Sequence, residues 1–131
     1  MNKSFFFLPL IALLSCSDNL PERAAADAAE YTRKYCPTPA TQYTRNDSVT
    51  FDRSTRTFCY HYTALGALDN AKMMTYNAEK VEKAVRTGIA DNTGLKVYKN
   101  AGYSFRYVVR SAKDPSKVLF ETTVTEDDYK R

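Results

Sequence analysis

Apolar residues recur at helical spacing in two stretches of the chain. The first stripe is Leu20, Ala24, Ala28, Tyr31 and Tyr35, and the second is Met74, Ala78, Val81, Val85 and Ile89. Intervals of four and three residues place each set on one face of an α-helix, with charged residues mostly off the stripe. The pattern predicts two amphipathic helices, one over about residues 20–35 and one running from a cap at Asp69 to Ala90 or Asp91.

The first predicted helix carries clear start and stop signals. Asn19 can cap it, Pro21 falls in its first turn, and Glu22 stands three residues after the cap. Alanine-rich sequence follows, which favours helix. Pro37 ends the helix just after Cys36, because a residue before proline is disfavoured in the helical conformation.

Four further segments alternate with period two and are typical of β-strands. They span residues 48–52, 56–63, 103–110 and 118–124. In the second of them, Phe58, Tyr60 and Tyr62 share one face, and Cys59 and His61 share the other. Turn residues at 53–55 and 114–116 separate the strands within each pair, so the pattern predicts two hairpins.

Helices and paired strands in this order predict an α+β fold. We expect the order α-β-β-α-β-β, with an antiparallel sheet of about four strands and both helices packed on one of its faces. A short helical segment is predicted over residues 95–100. A capping-box pattern at Thr125–Asp128 predicts a final helical turn.

The N-terminus has the pattern of an export signal. Lys3 precedes an apolar run, residues 5–14, that is too short to cross a bilayer but fits the hydrophobic region of a signal peptide. Leu13-Leu14-Ser15-Cys16 follows and resembles the lipobox of bacterial lipoproteins. The resemblance implies cleavage before Cys16 and acylation of its thiol. The rest of the chain resembles small uncharacterised lipoproteins without a known activity.

This resemblance defines the expected organisation of the chain. Residues 1–15 would be the signal peptide, residues 16–19 a lipidated tether, and residues 20–131 one α+β domain. Two or more acyl chains on Cys16 would hold the protein stably on a membrane. Ser17, rather than aspartate, follows the cysteine. By the sorting rules of the family, this favours the outer membrane and leaves the leaflet open.

Charge and composition argue against nucleic-acid binding. The chain carries a net charge of +4, which becomes +3 once Lys3 is removed with the signal, and its basic residues are scattered. Tyrosine is frequent, with 10 residues. Because tyrosine has an apolar body and a polar tip, it suits both half-buried sheet faces and binding surfaces.

Cys36 and Cys59 form an even pair in an exported chain. Export to an oxidising compartment favours a disulfide between them, which would stabilise the fold by roughly 3 kcal/mol. The bond would turn Cys59 towards the helices and leave Tyr60 and Tyr62 on an open sheet face. Together with Arg106, these tyrosines would then form an interaction surface. In the alternative, the aromatic row is core and the cysteines are free thiols.

No catalytic, cofactor-binding or metal-binding motif stands out. His61, the single histidine, lies two residues from Cys59 and could form a nucleophile–base pair or supply metal ligands with it. No third orienting group or second ligand cluster accompanies them. The four glycines are dispersed, so no phosphate-binding loop is present.

We therefore expect a membrane-anchored, non-enzymatic binding or assembly module with a protein partner in the cell envelope and no cofactor. The alternatives are an inhibitor or immunity-type protein that blocks an enzyme or toxin, and an enzyme that uses His61. The oligomeric state is not predicted by the sequence.

Overall fold

The computed structural model describes residues 19–130 of the 131-residue chain. The signal peptide predicted over residues 1–15 and the lipidation site at Cys16 lie outside this part. The helices are α1 (Leu20–Tyr35), α2 (Ala71–Asp91), α3 (Lys96–Asn100) and α4 (Glu126–Tyr129). The strands are β1 (Thr44–Asp52), β2 (Thr57–Ala64), β3 (Ser104–Ser111) and β4 (Val118–Val124). Single 3₁₀ turns occupy Gly66–Leu68 and Thr93–Leu95.

The α+β class and the predicted order of helices and strands are confirmed. The capping box is also present: Thr125 and Asp128 exchange side-chain and backbone hydrogen bonds at the start of α4. The cap of α2 differs from the prediction, because Asn70, not Asp69, accepts the backbone N–H groups of the first turn. The Asp69 carboxylate instead accepts a hydrogen bond from the backbone N–H of Lys113, at 3.0 Å.

The sheet is mixed rather than wholly antiparallel. Its order is β1-β2-β3-β4, and the two outer pairs are antiparallel as predicted, whereas β2 and β3 run parallel. The connection from β2 to β3 passes through α2 and α3. A crossover of this length returns the chain to the starting end of the sheet, which parallel pairing requires. Strand β1 also begins earlier than predicted, at Thr44, with a bulge between Asn46 and Ser48.

The aromatic row of β2 faces the helices. Phe58 is 3% exposed and belongs to the main core cluster, against which Tyr60 packs, and Tyr62 packs against a second cluster beside it. Cys59 therefore points away from the helices, contrary to the interpretation in which a disulfide turned it towards them. The large apolar area of aromatic rings explains this choice, because burying them removes far more surface from water than burying a thiol.

The structure holds no bond between the two cysteines for which a disulfide was predicted, and they lie on opposite faces of the sheet. Cys36 and Cys59 are both free thiols. Cys36 directly follows α1, on the helix side of the sheet, next to Tyr62. Cys59 lies on the other face, where its Sγ is 3.6 Å from Nη1 of Arg106. Once the aromatic row occupies the helix side, strand alternation directs Cys59 away from Cys36.

Alkylation should distinguish the two thiols. In denaturant without reductant, we expect iodoacetamide to modify both Cys36 and Cys59. In the folded protein Cys36 should react faster, because Cys59 is only 8% exposed whereas Cys36 is half-buried; burial raises the pKa of both thiols. Intact-mass analysis over time measures both rates, with a pre-reduced sample as control. Thiols that react only after reduction would show that the bond forms in the cell.

Candidate functional site

The two long helices lie over the edges of the sheet and leave its centre open. Thr32 fixes α1 over β1, because its hydroxyl donates to the carbonyl of Val49 at 2.9 Å and accepts from the Val49 N–H at 2.8 Å. Helix α2 packs on β4, where the Thr122 hydroxyl donates to Glu82 at 3.1 Å. Neighbouring strands lie about 4.8 Å apart, and β1 and β4 are three strand spacings apart, so the axes of helices over them are separated by about 14 Å. The axes of helices in direct contact are about 8–10 Å apart. The larger separation leaves a groove above β2 and β3.

This groove consists of two connected cavities of about 360 and 350 Å³. They share Tyr62, Gly88 and Tyr107 in their lining. The wall at one end is mainly apolar and includes Leu68, Val81, Val85, Val109 and Phe120. The other end is rich in tyrosine and includes Tyr31, Tyr60, Tyr62, Tyr98 and Tyr107. One end can therefore bury apolar side chains, and the other also offers polar atoms.

Three stacked tyrosines form the floor. Tyr60 and Tyr107 are neighbours across the parallel strands, with ring centroids 4.6 Å apart and planes inclined by 17°. Tyr62 also stacks on Tyr107, at 5.7 Å and 18°. The Tyr107 ring is thus stacked against two neighbouring rings.

These hydroxyl groups are hydrogen-bond donors. Burial raises the pKa of Tyr60, Tyr62 and Tyr107 above the ordinary tyrosine value, and the nearby hydroxyl of Tyr31 raises each of them further. All three side chains therefore keep their protons at physiological pH. Among residues 19–130, neither these three hydroxyls nor the hydroxyl of Tyr31 has a hydrogen-bond partner.

Asn46 adds a buried acceptor beside the tyrosines. The residue is 4% exposed, and its Oδ1 atom has no hydrogen-bond partner within the described part of the chain. A buried polar atom without a partner costs about 1–3 kcal/mol. In the lining of the same cavity, Asp27 accepts a hydrogen bond from the Tyr98 hydroxyl. The tyrosine end thus combines free donors with an unused acceptor.

Gly88 opens the α2 wall at the junction of the two cavities. A Cβ atom built at this position would meet no other atom within 4 Å. Exposed apolar side chains stand close to the groove: Tyr31 and Tyr43 are 41% and 60% exposed, and Met73 is 43% exposed. The groove therefore has an apolar rim as well as an apolar wall.

The residues predicted to form one interaction surface are divided between two faces. Tyr60 and Tyr62 line the groove beneath the helices. Arg106 lies on the opposite face, where its Nε is 2.5 Å from Glu121. Strand register explains the division, because Arg106 pairs with Cys59 and so shares its face. The structure therefore does not bring these three residues together as predicted, because two of them face the helices and the third faces away from them.

Sequence reasoning missed the other lining residues. Tyr107 belongs to the same alternating pattern as Tyr60 and could have been included on that ground. Gly88 lies one residue from the apolar stripe of α2, where a glycine is a visible irregularity. Asn46 gave no sequence signal, because its burial depends on the strand extending back to Thr44.

Cys59 and His61 do not form an activated pair. Burial lowers the pKa of His61, and Arg110 and Arg106 lower it further, while burial raises the pKa of Cys59. The His61 ring contacts Thr50 at 3.0 Å and Arg110 at 3.4 Å rather than the thiol. A protonated thiol beside a neutral imidazole lacks the thiolate that nucleophilic attack requires.

Metal-binding and membrane-spanning features are absent from the described residues. Within 19–130, no group of three or more His, Cys, Asp or Glu side chains is arranged to hold a metal ion. No helix in that range combines the length and apolar character needed to span a membrane.

The fold occurs in proteins of known structure. A Pseudomonas aeruginosa protein classed by inference as secreted aligns with a TM-score of 0.72 and 14% identity, over 85% of this chain and 93% of its own. EpsS, a pilotin of the Vibrio vulnificus type 2 secretion system, aligns with a TM-score of 0.65 and 9% identity, over 86% of this chain and 93% of its own. The Vibrio cholerae type II secretion system pilotin AspS aligns with a TM-score of 0.63 and 18% identity, over 89% of this chain and 98% of its own. At these low sequence identities, the similarity shows that the proteins share a fold.

Comparison of sequences places the chain in one family. No curated protein sequence matches it. The family described as "Domain of unknown function (DUF8479)" matches residues 19–120, which include both long helices and most of the sheet. The chain belongs to this DUF8479 family.

Proposed function

We propose that this protein is a lipid-anchored, non-enzymatic adaptor of the cell envelope that binds an amphipathic segment of a partner protein. The observation that carries the proposal is the groove between α1 and α2, with its apolar wall and exposed apolar rim. Two similar structures are pilotins of type II secretion systems, so an assembly role in the envelope is consistent with the fold.

The chemistry of the groove favours a peptide over a lipid chain. An acyl chain would suit the apolar end, where Val81, Val85 and Phe120 lie. At the tyrosine end it would bury free hydroxyls and the Asn46 amide against hydrocarbon, which is costly because they would lose water without gaining partners. A peptide segment supplies both apolar side chains and hydrogen-bonding groups.

The dimensions of the groove favour a helical segment lying along its rim. An axis-to-axis separation of about 14 Å between α1 and α2 is too small for a third helix to lie between them in the same layer. One row of side chains from an amphipathic helix can enter it instead, at the spacing with which helices bind apolar grooves. The exposed rings of Tyr31 and Tyr43 would then contact the sides of that helix.

The absence of enzymatic activity is part of the proposal. The strongest catalytic candidates, Cys59 and His61, lie on the face opposite the groove. The raised pKa of Cys59 and the lowered pKa of His61 both disfavour a thiolate–imidazolium ion pair. The polar groups within the groove are mainly tyrosine hydroxyls that stay protonated. Such groups suit binding better than acid–base catalysis near neutral pH.

The proposed anchor is an acylated Cys16 on the outer membrane. We expect the wild-type protein to fractionate with membranes and its mature N-terminal peptide to carry the mass of acyl chains. Cys16→Ser removes the acylated thiol, so the variant should leave the membrane fraction or retain its signal peptide. A Cys16→Ser protein that stays on membranes with a cleaved signal would contradict the anchor and leave the groove unaffected.

Site-specific crosslinking in cells tests the groove. Tyr31, at the rim, would be replaced by benzoylphenylalanine, with the same replacement of Tyr76 as the matched control. Tyr76 is also an exposed helical tyrosine, 84% exposed, but it does not line the groove. We expect a crosslink from position 31 to one envelope protein, mapped by mass spectrometry to a segment with apolar residues at helical spacing. Identical adducts from both positions, or adducts with lipid alone, would refute the proposal.

A further inference from the structure

The tyrosine end of the groove has a hydrogen-bonding character that its apolar end lacks. Tyr31, Tyr60, Tyr62 and Tyr107 are in the lining of this end, and their four hydroxyl groups have no partner among the described residues. Asn46 is in the same lining, and its buried Oδ1 atom is likewise unpartnered among the described residues. From these groups we infer that this end is a specificity subsite for a primary amide side chain, glutamine or asparagine, of the partner segment. The inference rests on the proposed function of the groove.

Charge argues against an ionised side chain at this position. The lining of the tyrosine end contains no lysine, arginine or histidine, so a buried carboxylate would have no cation to compensate it. Its one acidic residue, Asp27, already accepts the hydrogen bond of Tyr98 and has Arg23 at 3.9 Å. A lysine ammonium group could not accept hydrogen bonds from the tyrosine hydroxyls, because it only donates.

Ring geometry argues against ligands that bind to the faces of aromatic rings. A cation–π contact or a stacked sugar needs an open ring face. Tyr107 is stacked against both Tyr60 and Tyr62, with planes inclined by less than 20°, so its ring faces are already engaged by these neighbours. The floor therefore offers edges and hydroxyls, which recognise a group by hydrogen bonds.

A primary amide matches the available groups. Its carbonyl oxygen can accept from the tyrosine hydroxyls, and its NH₂ group can donate to Oδ1 of Asn46. The Asn46 side chain can turn towards an incoming donor, because the terminal torsion of asparagine has a broad energy profile. A single polar residue in an otherwise apolar stripe is a known means of fixing the register of packed helices. We expect the amide to fix the position of the partner segment along the groove in the same way.

The test uses mature full-length protein in detergent and a series of synthetic helical peptides. Each peptide has about five turns and a leucine stripe in which one position at a time is replaced by Gln, Glu or Lys. The expected result is one stripe position at which Gln binds about tenfold more tightly than Leu, the fold-change that corresponds to one net hydrogen bond. Glu and Lys at that position should bind more weakly than Gln.

Two variants of the protein assign the preference to the subsite. Asn46→Leu should lose the preference for Gln and bind the all-leucine peptide at least as tightly as wild type. Tyr107→Phe, which removes one hydroxyl and keeps the ring, should weaken the preference several-fold. A wild-type protein that binds leucine as well as Gln at every position would overturn the inference and leave the groove proposal standing. A Gln preference that survives both substitutions would also overturn it, and failure of every peptide to bind would refute the groove proposal and the subsite together.

Discussion

Replacing Gly88 with phenylalanine is expected to lower partner binding at least about 100-fold without unfolding the protein. The new ring would project from α2 into the junction of the two cavities, where a Cβ meets no atom within 4 Å. It would occupy the space that one or two apolar side chains of the partner would otherwise fill. Burial of each such side chain contributes about 1.5–3 kcal/mol, and a loss of about 2.7 kcal/mol corresponds to 100-fold.

The same substitution should not weaken the fold. Glycine costs about 1 kcal/mol relative to alanine inside a helix, whereas phenylalanine costs about half as much. Gly88→Ala should therefore stabilise the protein by up to about 1 kcal/mol and leave most of the groove open. The two variants separate an effect of groove volume from an effect of helix stability.

Crosslinking from position 31 and thermal unfolding measure the two effects. Ala90→Phe supplies a control of similar size, because Ala90 is exposed on the side of α2 away from the groove. It should crosslink like wild type. A Gly88→Phe protein that keeps its wild-type crosslink would show that the partner does not enter the groove. A Gly88→Phe protein that unfolds would instead show that the groove closes around this position.

Phe105→Ala is expected to have the largest effect on stability. Phe105 is 0% exposed, and its ring lies 5.6 Å from that of Phe58 with planes inclined by 5°. The Tyr129 ring of α4 also contacts it edge-on, with centroids 6.0 Å apart. Truncating a buried phenylalanine costs about 3–5 kcal/mol, because it leaves a cavity that the surrounding side chains only partly fill. Small domains have total stabilities of about 5–15 kcal/mol, so the variant should be close to unfolding.

Urea unfolding followed by circular dichroism measures the loss. Phe105→Leu should cost less than Phe105→Ala, because it keeps most of the buried volume. Val118→Ala, at an edge-strand residue that is 43% exposed, should stay within about 0.5 kcal/mol of wild type. A loss below about 1 kcal/mol for Phe105→Ala would mean that β3 is not the centre of the core.

The groove follows from the way the chain crosses the sheet. Because the connection between β2 and β3 passes over the helix side, α2 packs on the far strand, β4, rather than beside α1. Thr32 fixes α1 on the near edge by satisfying both backbone groups of Val49. This arrangement also covers part of an edge strand, which would otherwise offer free backbone groups for aggregation.

Local patterns in the sequence determined which segments are helix and which are strand. The apolar stripe of α1, its proline signals and the alternation of β2 each reflect the geometry of a single element, so they are visible without knowledge of its neighbours. The α+β class followed from the order of these elements. The same patterns showed that Tyr60 and Tyr62 share a face and that Cys59 occupies the other.

Only the tertiary structure decided which of those faces is buried and what the aromatic row does. Alternation is symmetric between the two sides of a strand, so it could not determine that Tyr60 points towards the helices and Cys59 away from them. The parallel pairing of β2 with β3 brings Tyr107 beside Tyr60, although the two lie far apart in the chain. The groove itself depends on the distance between two helices that each pack on a different edge. Such distances arise from long-range packing, which no local pattern encodes.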